Sequence, residues 1–350
     1  MSNLQDFSTP LLAWFEQHGR HDLPWQVQDH PYQVWVSEIM LQQTQVKTVL
    51  HYYPRFIARF PTVQTLAAAD WDEVAPYWAG LGYYARARNL HKAARQVVEL
   101  GDFPQDLDGW MALSGIGRST AGAVMSLGLG KFGVILDGNV KRVLARYFAM
   151  TGDLSKPANE KPLWQLASSL VPEQRHAEYT QAIMDLGATV CTPKNPLCLY
   201  CPMKNECQAF LQGNVLAYPE KKIKKAVPIK QAHVLILEYQ QQWLWLQRPS
   251  QGLWGGLYCL PMIEDEQDFL AFIQQWQLQE HQDAWVKHQF THFTWQLHCH
   301  KFSIDARLQA QLAQHFTAHA FAAADITRLA IPTAMHKVIA QFQVFNKDHV

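Results

Sequence analysis

The chain has 350 residues, 48% of them hydrophobic, with 30 basic and 30 acidic side chains and so no formal net charge. That length and apolar content point to a globular, soluble protein of two or three domains, and the charge balance excludes nucleic-acid binding driven by bulk charge, leaving only contacts made by how charge is placed. No apolar run approaches the roughly 20 residues needed to span a bilayer, and no N-terminal stretch joins a basic start, an apolar core and a small-residue cleavage site, so a cytoplasmic protein with no membrane partner is expected.

In chain order, Leu4, Phe7, Leu11, Leu12, Trp14 and Phe15 have helical spacing over residues 4–24, and His21-Asp-Leu-Pro ends that helix. After a loop through Pro31, the spacing predicts a helix over Trp35–Val46. Glu38 sits in it among Trp35, Ile39, Met40 and Leu41, a setting that desolvates a carboxyl group and raises its pKa, so that a protonated fraction survives at neutral pH. Further helices are expected over 56–60, 63–69, 72–78, 84–100 and 110–113, punctuated by Pro61, Gly80, Gly82, Gly101, Pro104 and Gly109. No alternating strand pattern occurs up to about residue 130, so this region reads as all-α.

Gly115 and Gly117 bracket Ile116 in a tight hairpin, where a missing Cβ allows unusual dihedrals and close backbone approach. The small run Ser119-Thr-Ala-Gly-Ala-Val opens the following helix, whose first amides suit an anion such as a phosphate. Asp137 follows the apolar Val134-Ile135-Leu136 and precedes Val140, Val143, Leu144 and Tyr147 at helical spacing, which makes it an N-cap. Nearby N–H groups favour its charged form, so it is expected to be ionised at neutral pH. One carboxyl group kept neutral and another kept charged is the pairing glycoside hydrolases use to protonate a leaving group and stabilise an oxocarbenium-like sugar.

Cys191, Cys198, Cys201 and Cys207 read C-x6-C-x2-C-x5-C. Four thiols crowded into one short loop favour a metal centre over disulfides, either zinc or an iron–sulfur cluster. Lys194 and Lys204 within the loop could meet phosphates. Beyond residue 210, the lysine-rich, proline-bounded Pro219–Lys230 reads as an interdomain linker. A strand pair at 233–239 and 243–248, a turn at 252–258, strands within 284–304 and helices at 266–279, 309–316 and 332–343 make the remainder α+β. Cys259 and Cys299 lie far from the loop and read as buried packing.

The hairpin with the downstream Val-Ile-Leu-Asp-Gly-Asn-Val resembles the helix-hairpin-helix and catalytic-Asp signature of base-excision DNA glycosylases, with Ser114 standing where that family usually has proline. More narrowly, Leu23-Pro-Trp, Pro31-Tyr-Gln-Val-Trp-Val-Ser-Glu-Ile-Met-Leu-Gln-Gln-Thr-Gln-Val, Gly80-Leu-Gly-Tyr-Tyr-Ala-Arg-Ala-Arg-Asn-Leu, Asp137-Gly-Asn-Val and the cysteine loop are similar to adenine-specific mismatch glycosylases of the MutY type over residues 4–210. The resemblance implies that Glu38 is the general acid, that Asp137 stabilises the oxocarbenium-like state or its adduct, and that Asn139 supports both. It also implies that Leu41, Gln43 and Tyr83 wedge into the duplex, that Gly115, Gly117 and Ser119 belong to the DNA-binding hairpin, and that the four cysteines hold a four-iron, four-sulfur (4Fe-4S) cluster.

The segment Leu253-Trp-Gly-Gly resembles the Nudix fold. No Arg-Glu-x-x-Glu-Glu helix follows it, so the acidic metal site of Nudix hydrolases is missing and a binding role is left. The resemblance implies that Phe290-Thr291-His292 reads 8-oxoguanine, with Thr291 where Ser is frequent. The expected organisation is an all-α glycosylase domain over 1–213, with a six-helix region at 26–130 and a second lobe from 1–25 and 131–213. A linker at 214–230 and a Nudix-like recognition domain at 231–350 follow. The expected activity is monofunctional removal of adenine mispaired with 8-oxoguanine or guanine, by a monomeric bacterial enzyme acting on double-stranded DNA. An endonuclease III-like lyase would need a nucleophilic lysine just after the hairpin to form a Schiff base; Arg118-Ser119 occupies that place. A non-catalytic DNA-binding iron–sulfur protein is the other reading, and the presence of both Glu38 and Asp137 argues against it.

Overall fold

The computed structural model describes residues 7–27, 30–154, 156–220, 227–249, 252–290, 292–326 and 329–342. Leu11, Leu12 and Phe15 give helix α1, Ser8–His18, a single buried stripe. The expected helix through Val46 is instead two. Helix α2, Pro31–Leu41, starts on a proline at its first position and stops where Gln43 takes a left-handed conformation (φ 56). Helix α3 then runs over Val46–Arg59, burying Val49, Tyr53 and Phe56 on one face, and so extends well beyond the expected 56–60. Arg86 accounts for the break: its guanidinium donates to the carbonyls of Ile39 (2.9 Å) and Met40 (3.0 Å) and to that of Gln42, holding the open end of α2.

Helices α4 (Val63–Ala68), α5 (Trp71–Trp78), α6 (Ala85–Leu100) and α7 (Leu107–Ala112) follow. The hairpin leads into α8 (Arg118–Ala123), which continues as a π-helical turn over Val124–Gly128. Helices α9 (Gly138–Tyr147), α10 (Pro157–Ser169), α11 (His176–Asp185) and α12 (Gln208–Leu211) complete the helical part. Phe7, Leu11 and Phe15 of the N-terminal segment join Val134–Leu136, Val140, Leu144, Ala182, Ile183 and Leu186 in one buried cluster.

The chain divides into two compact units, one of Met1–Ala69 and Arg86–Lys224 and the other of Asp70–Ala85 and Lys225–Val350. The segment holding α5 and Tyr83, expected in the helical domain, thus belongs to the second unit. There Trp71 Nε1 donates to the Gly256 carbonyl (3.2 Å) and the Tyr84 hydroxyl donates to that of Ile331 (3.1 Å).

The second unit carries a seven-stranded mixed sheet of β1 (Ile229–Tyr239), β2 (Gln242–Gln247), β3 (Tyr258–Cys259), β4 (Met262–Ile263), β5 (Glu280–Gln289), β6 (Thr294–Ser303) and β7 (Ala318–Ala322). Its order is β3-β2-β1-β6-β5, with β4 on β1 and β7 on β2. Strands β1 and β6 are parallel, with Val234 opposite Cys299, and the other pairs are antiparallel. Helices α13 (Glu266–Gln275), α14 (Ala306–Phe316), α15 (Ala323–Ile326) and α16 (Thr333–Phe342) accompany it. Strand β1 opens at Ile229, inside the stretch expected as linker, because Thr294 N–H already pairs with the Pro228 carbonyl at 2.8 Å. Residues 221–226 of that stretch lie outside the described residues.

Candidate active site and cysteine pocket

Asp137 caps α9 as its spacing predicts: Oδ1 accepts from Val140 N–H at 2.8 Å. Glu38 lies in the last turn of α2. Both carboxyl groups line one cavity of about 290 Å³, along with Arg20, Leu41, Gln42, Ser119, Asn139 and Gln181. Burial, reinforced by the nearby charge of Asp137, pushes the Glu38 pKa up to about 7. Asp137 differs from expectation in one respect. Burial moves its pKa upward, and the bonds from the α9 amides and the charges of Arg142 and Lys141 offset this only in part.

Asn139 is fixed from two sides. Its Oδ1 accepts from Arg142 Nη2 at 2.8 Å, and a Cβ built on Gly187 would stand 2.7 Å from Asn139 Cβ, so glycine is what admits the close approach. The same guanidinium donates to the Gly187 carbonyl (2.8 Å) and, through Nε, to the Cys191 carbonyl (2.7 Å).

Of the other residues singled out in the first unit, Leu41 and Ser119 reach the cavity. The Ser119 hydroxyl is committed to the chain itself, accepting from Leu136 N–H at 3.0 Å. Gln43, Gly115 (φ +76) and Gly117 lie at exposed positions. Gly115 faces Asn89 so closely that a Cβ would come within 2.5 Å of it. Ser114, standing where proline was usual, keeps an N–H that donates to Gln96 Oε1 at 2.9 Å.

Tyr83 (φ 49, 47% exposed), Phe290 and His292 belong to the second unit. Phe290 closes the turn between β5 and β6, its N–H on the Phe293 carbonyl at 2.8 Å and its ring stacked on Phe293, with His292 exposed beside it. Thr291 lies outside the described residues.

Cys191, Cys198, Cys201 and Cys207 line one small apolar pocket with Arg146, Val190 and Phe210. Burial leads in raising the thiols of Cys198, Cys201 (to about 12) and Cys207, and the facing cysteines add to it. Arg146 donates to Cys191 Sγ at 3.3 Å and to the Thr192 carbonyl at 2.7 Å, bracing the loop. Cys259 and Cys299 are buried in the other unit, as expected of packing.

Sequence reading missed three supports. Arg20 grips the fully buried Asp185 through its backbone N–H (2.7 Å) and Nε (2.9 Å), and Gln181 donates to the same carboxylate (2.8 Å). Arg86 and Arg142 are the others. Apart from Asn139, three residues from Arg142, the partners described for them are distant in sequence or are backbone carbonyls, which leave no mark on residue spacing.

A helix-hairpin-helix unit whose cavity gathers two carboxyl groups, in one chain with a Nudix-like sheet, defines a base-excision glycosylase of the helix-hairpin-helix superfamily. Residues 36–169 match the model of the HhH-GPD superfamily of base excision DNA repair proteins, and residues 232–341 match the NUDIX domain model. Adenine DNA glycosylase of Buchnera aphidicola (subspecies Acyrthosiphon pisum) is 40% identical over 271 residues, 77% of this chain and 77% of the relative. The Homo sapiens adenine DNA glycosylase is 37% identical over 313 residues, 73% of this chain and 57% of the human one. A solved thermostable thymine-DNA glycosylase, 30% identical, superposes with a TM-score of 0.54 over 60% of this chain and 97% of its own. The chain belongs to the adenine DNA glycosylase family. Among the described residues, no helix is long and apolar enough to cross a membrane.

Proposed function

We propose that the protein excises adenine mispaired with 8-oxoguanine or guanine in duplex DNA, as a monofunctional hydrolase of base excision repair. The observation that carries this reading is the shared cavity of Glu38 and Asp137, with burial and the Asp137 charge holding Glu38 at a pKa of about 7. A protonated Glu38 donates its proton to the leaving adenine as the N-glycosidic bond breaks, and the Asp137 carboxylate offsets the positive charge left on the sugar. Water then adds its oxygen at the anomeric carbon and gives up a proton to a carboxylate. Asn139, held by Arg142, positions this pair.

Flipping the adenine out costs a few kcal/mol, which Leu41, Gln43 and Tyr83 offset as wedges. The hairpin at Gly115, Gly117 and Ser119 takes the phosphate backbone, and Phe290, Thr291 and His292 read the opposite guanine. Ser119 has no amine, so no Schiff base forms there. Cys191, Cys198, Cys201 and Cys207 would hold a 4Fe-4S cluster. Four thiols gathered in one small apolar pocket fit such a group, because a bound metal stabilises the thiolate form. The cluster would supply rigidity to the 191–207 loop, with Arg146 bracing that loop. The enzyme works as a cytoplasmic monomer.

The test is incubation with a duplex holding adenine opposite 8-oxoguanine, half of each sample then being treated with alkali. Breaks only after alkali support the reading. Breaks without alkali would mean a lyase, and none at all would mean a binder.

A further inference from the structure

Three imidazoles converge on one face of the second unit's sheet, far in sequence from the cysteine loop. His233 on β1 and His298 on β6 are partners across the parallel pair, and His300, two residues along β6, projects to the same face. One ring nitrogen from each lies within 4.8 Å of the other two. Behind each ring stands a carboxylate. Nε2 of His233 is 2.9 Å from Glu266 Oε2, Nε2 of His298 is 2.8 Å from Asp283 Oδ2, and Nδ1 of His300 is 2.6 Å from Glu280 Oε2.

An ionised carboxylate can only accept, so each of these outer nitrogens carries the hydrogen, and the inner nitrogen of each neutral ring is left as a lone pair. Yet His233 Nδ1 and His300 Nε2 face each other at 3.0 Å. Two lone pairs at that distance repel unless a positive charge lies against them. Phe269 stacks on both rings, at 4.1 and 4.4 Å, and keeps that pair dry, whereas the His298 side chain, 24% exposed, leaves an approach from solvent.

We propose that His233, His298 and His300 bind a divalent late first-row transition cation, with Glu266, Glu280 and Asp283 orienting the three rings from behind. Imidazole nitrogens suit zinc, nickel, copper or cobalt, whereas magnesium and calcium select oxygen ligands. A carboxylate on the far nitrogen of a ligating histidine fixes its tautomer and raises its basicity, and here all three rings have one. Three protein nitrogens leave a fourth position for water on the His298 side. Such an ion ties β1 to β6 and, through Glu266, to the start of α13. The competing occupant is a single proton shared between His233 and His300.

The experiment uses the full-length protein with its cysteine site intact. After equilibration with Zn²⁺ and exhaustive dialysis, zinc is counted per chain and its surroundings are read by X-ray absorption at the zinc edge. One retained zinc with a nitrogen/oxygen shell, imidazole scattering and no sulfur is expected. Asp283→Asn is expected to weaken zinc affinity by about 10–100-fold, and His298→Gln to abolish retention with unchanged circular dichroism. No retained zinc, a sulfur shell, or full retention in His298→Gln would each overturn the proposal and leave the proton as occupant.

Discussion

Glu38 is a carboxyl group whose surroundings do most of its chemistry. Its apolar neighbours Trp35, Ile39 and Met40 could be read from the chain, and so could the upward pKa. Asp137 was legible as a cap and, through the resemblance, as the second carboxyl group, but not as a buried one. Its burial depends on the walls of a cavity assembled from α2, α8, α9 and α11, and local spacing carries no record of that. Glu38→Gln preserves shape but carries no transferable proton, so single-turnover adenine release is expected to fall by about 10²–10⁴ with the melting temperature maintained or raised. The same burial makes stability depend on pH. Glu38 titrates near its ordinary value of 4.5 when unfolded and at about 7 when folded, so the folded state binds more protons between those values. Stability therefore declines as pH rises from about 4.5 to 7, by about 3 kcal/mol from this group alone. Denaturant titrations of wild type and Glu38→Gln at pH 5 and 8 should show a loss of stability larger in the wild type by roughly that amount, the variant keeping the pH dependence of Asp137. Gly187→Ala pushes a methyl group against Asn139 Cβ. It is expected to slow base release by about 10²-fold through misplacement of the side chain, with a melting temperature lowered by only a few degrees.

Among the elements, the hairpin and α8 were the most legible part of the chain, because paired glycines and a run of small residues leave few alternatives. The reason for the small run was less visible. A Cβ on Gly122 would come 1.9 Å from the Val134 carbonyl oxygen, so α8 lies directly against the backbone that leads to Asp137. Gly122→Ala should cost on the order of 3 kcal/mol or more, measured as a lowered denaturation midpoint, and should reduce activity with it. The end of α2 was not legible: nothing about Gln43 marks it for a left-handed conformation, and the Arg86 side chain that holds the break comes from more than 40 residues away. The turn between β1 and β2 is similar, since Gln240 and Gln241 both adopt positive φ without the glycine or asparagine that usually signals it.

For the whole molecule, the change of composition after residue 210 was enough to separate a helical region from an α+β one, and the motifs in each gave the family. The assignment of Asp70–Ala85 to the second unit was not, since α5 has the same helical pattern as its neighbours and its docking depends on contacts such as Trp71 with Gly256, separated by 185 residues. At this scale the cysteine loop predicts about four irons per chain in protein purified without oxidation, and Cys201→Ser should lose them together with the brown colour, as read by iron analysis and absorbance.

Most directly at issue is whether Glu38 delivers the proton. Single-turnover release of adenine, measured from pH 5 to 9 on a duplex with adenine opposite 8-oxoguanine, should follow the protonated fraction of a group titrating near 7. The rate should fall above that pH, and the descending limb should vanish in Glu38→Gln. A wild-type rate that is flat through pH 7–9, or a Glu38→Gln variant that keeps both the wild-type rate and its pH profile, would contradict the account.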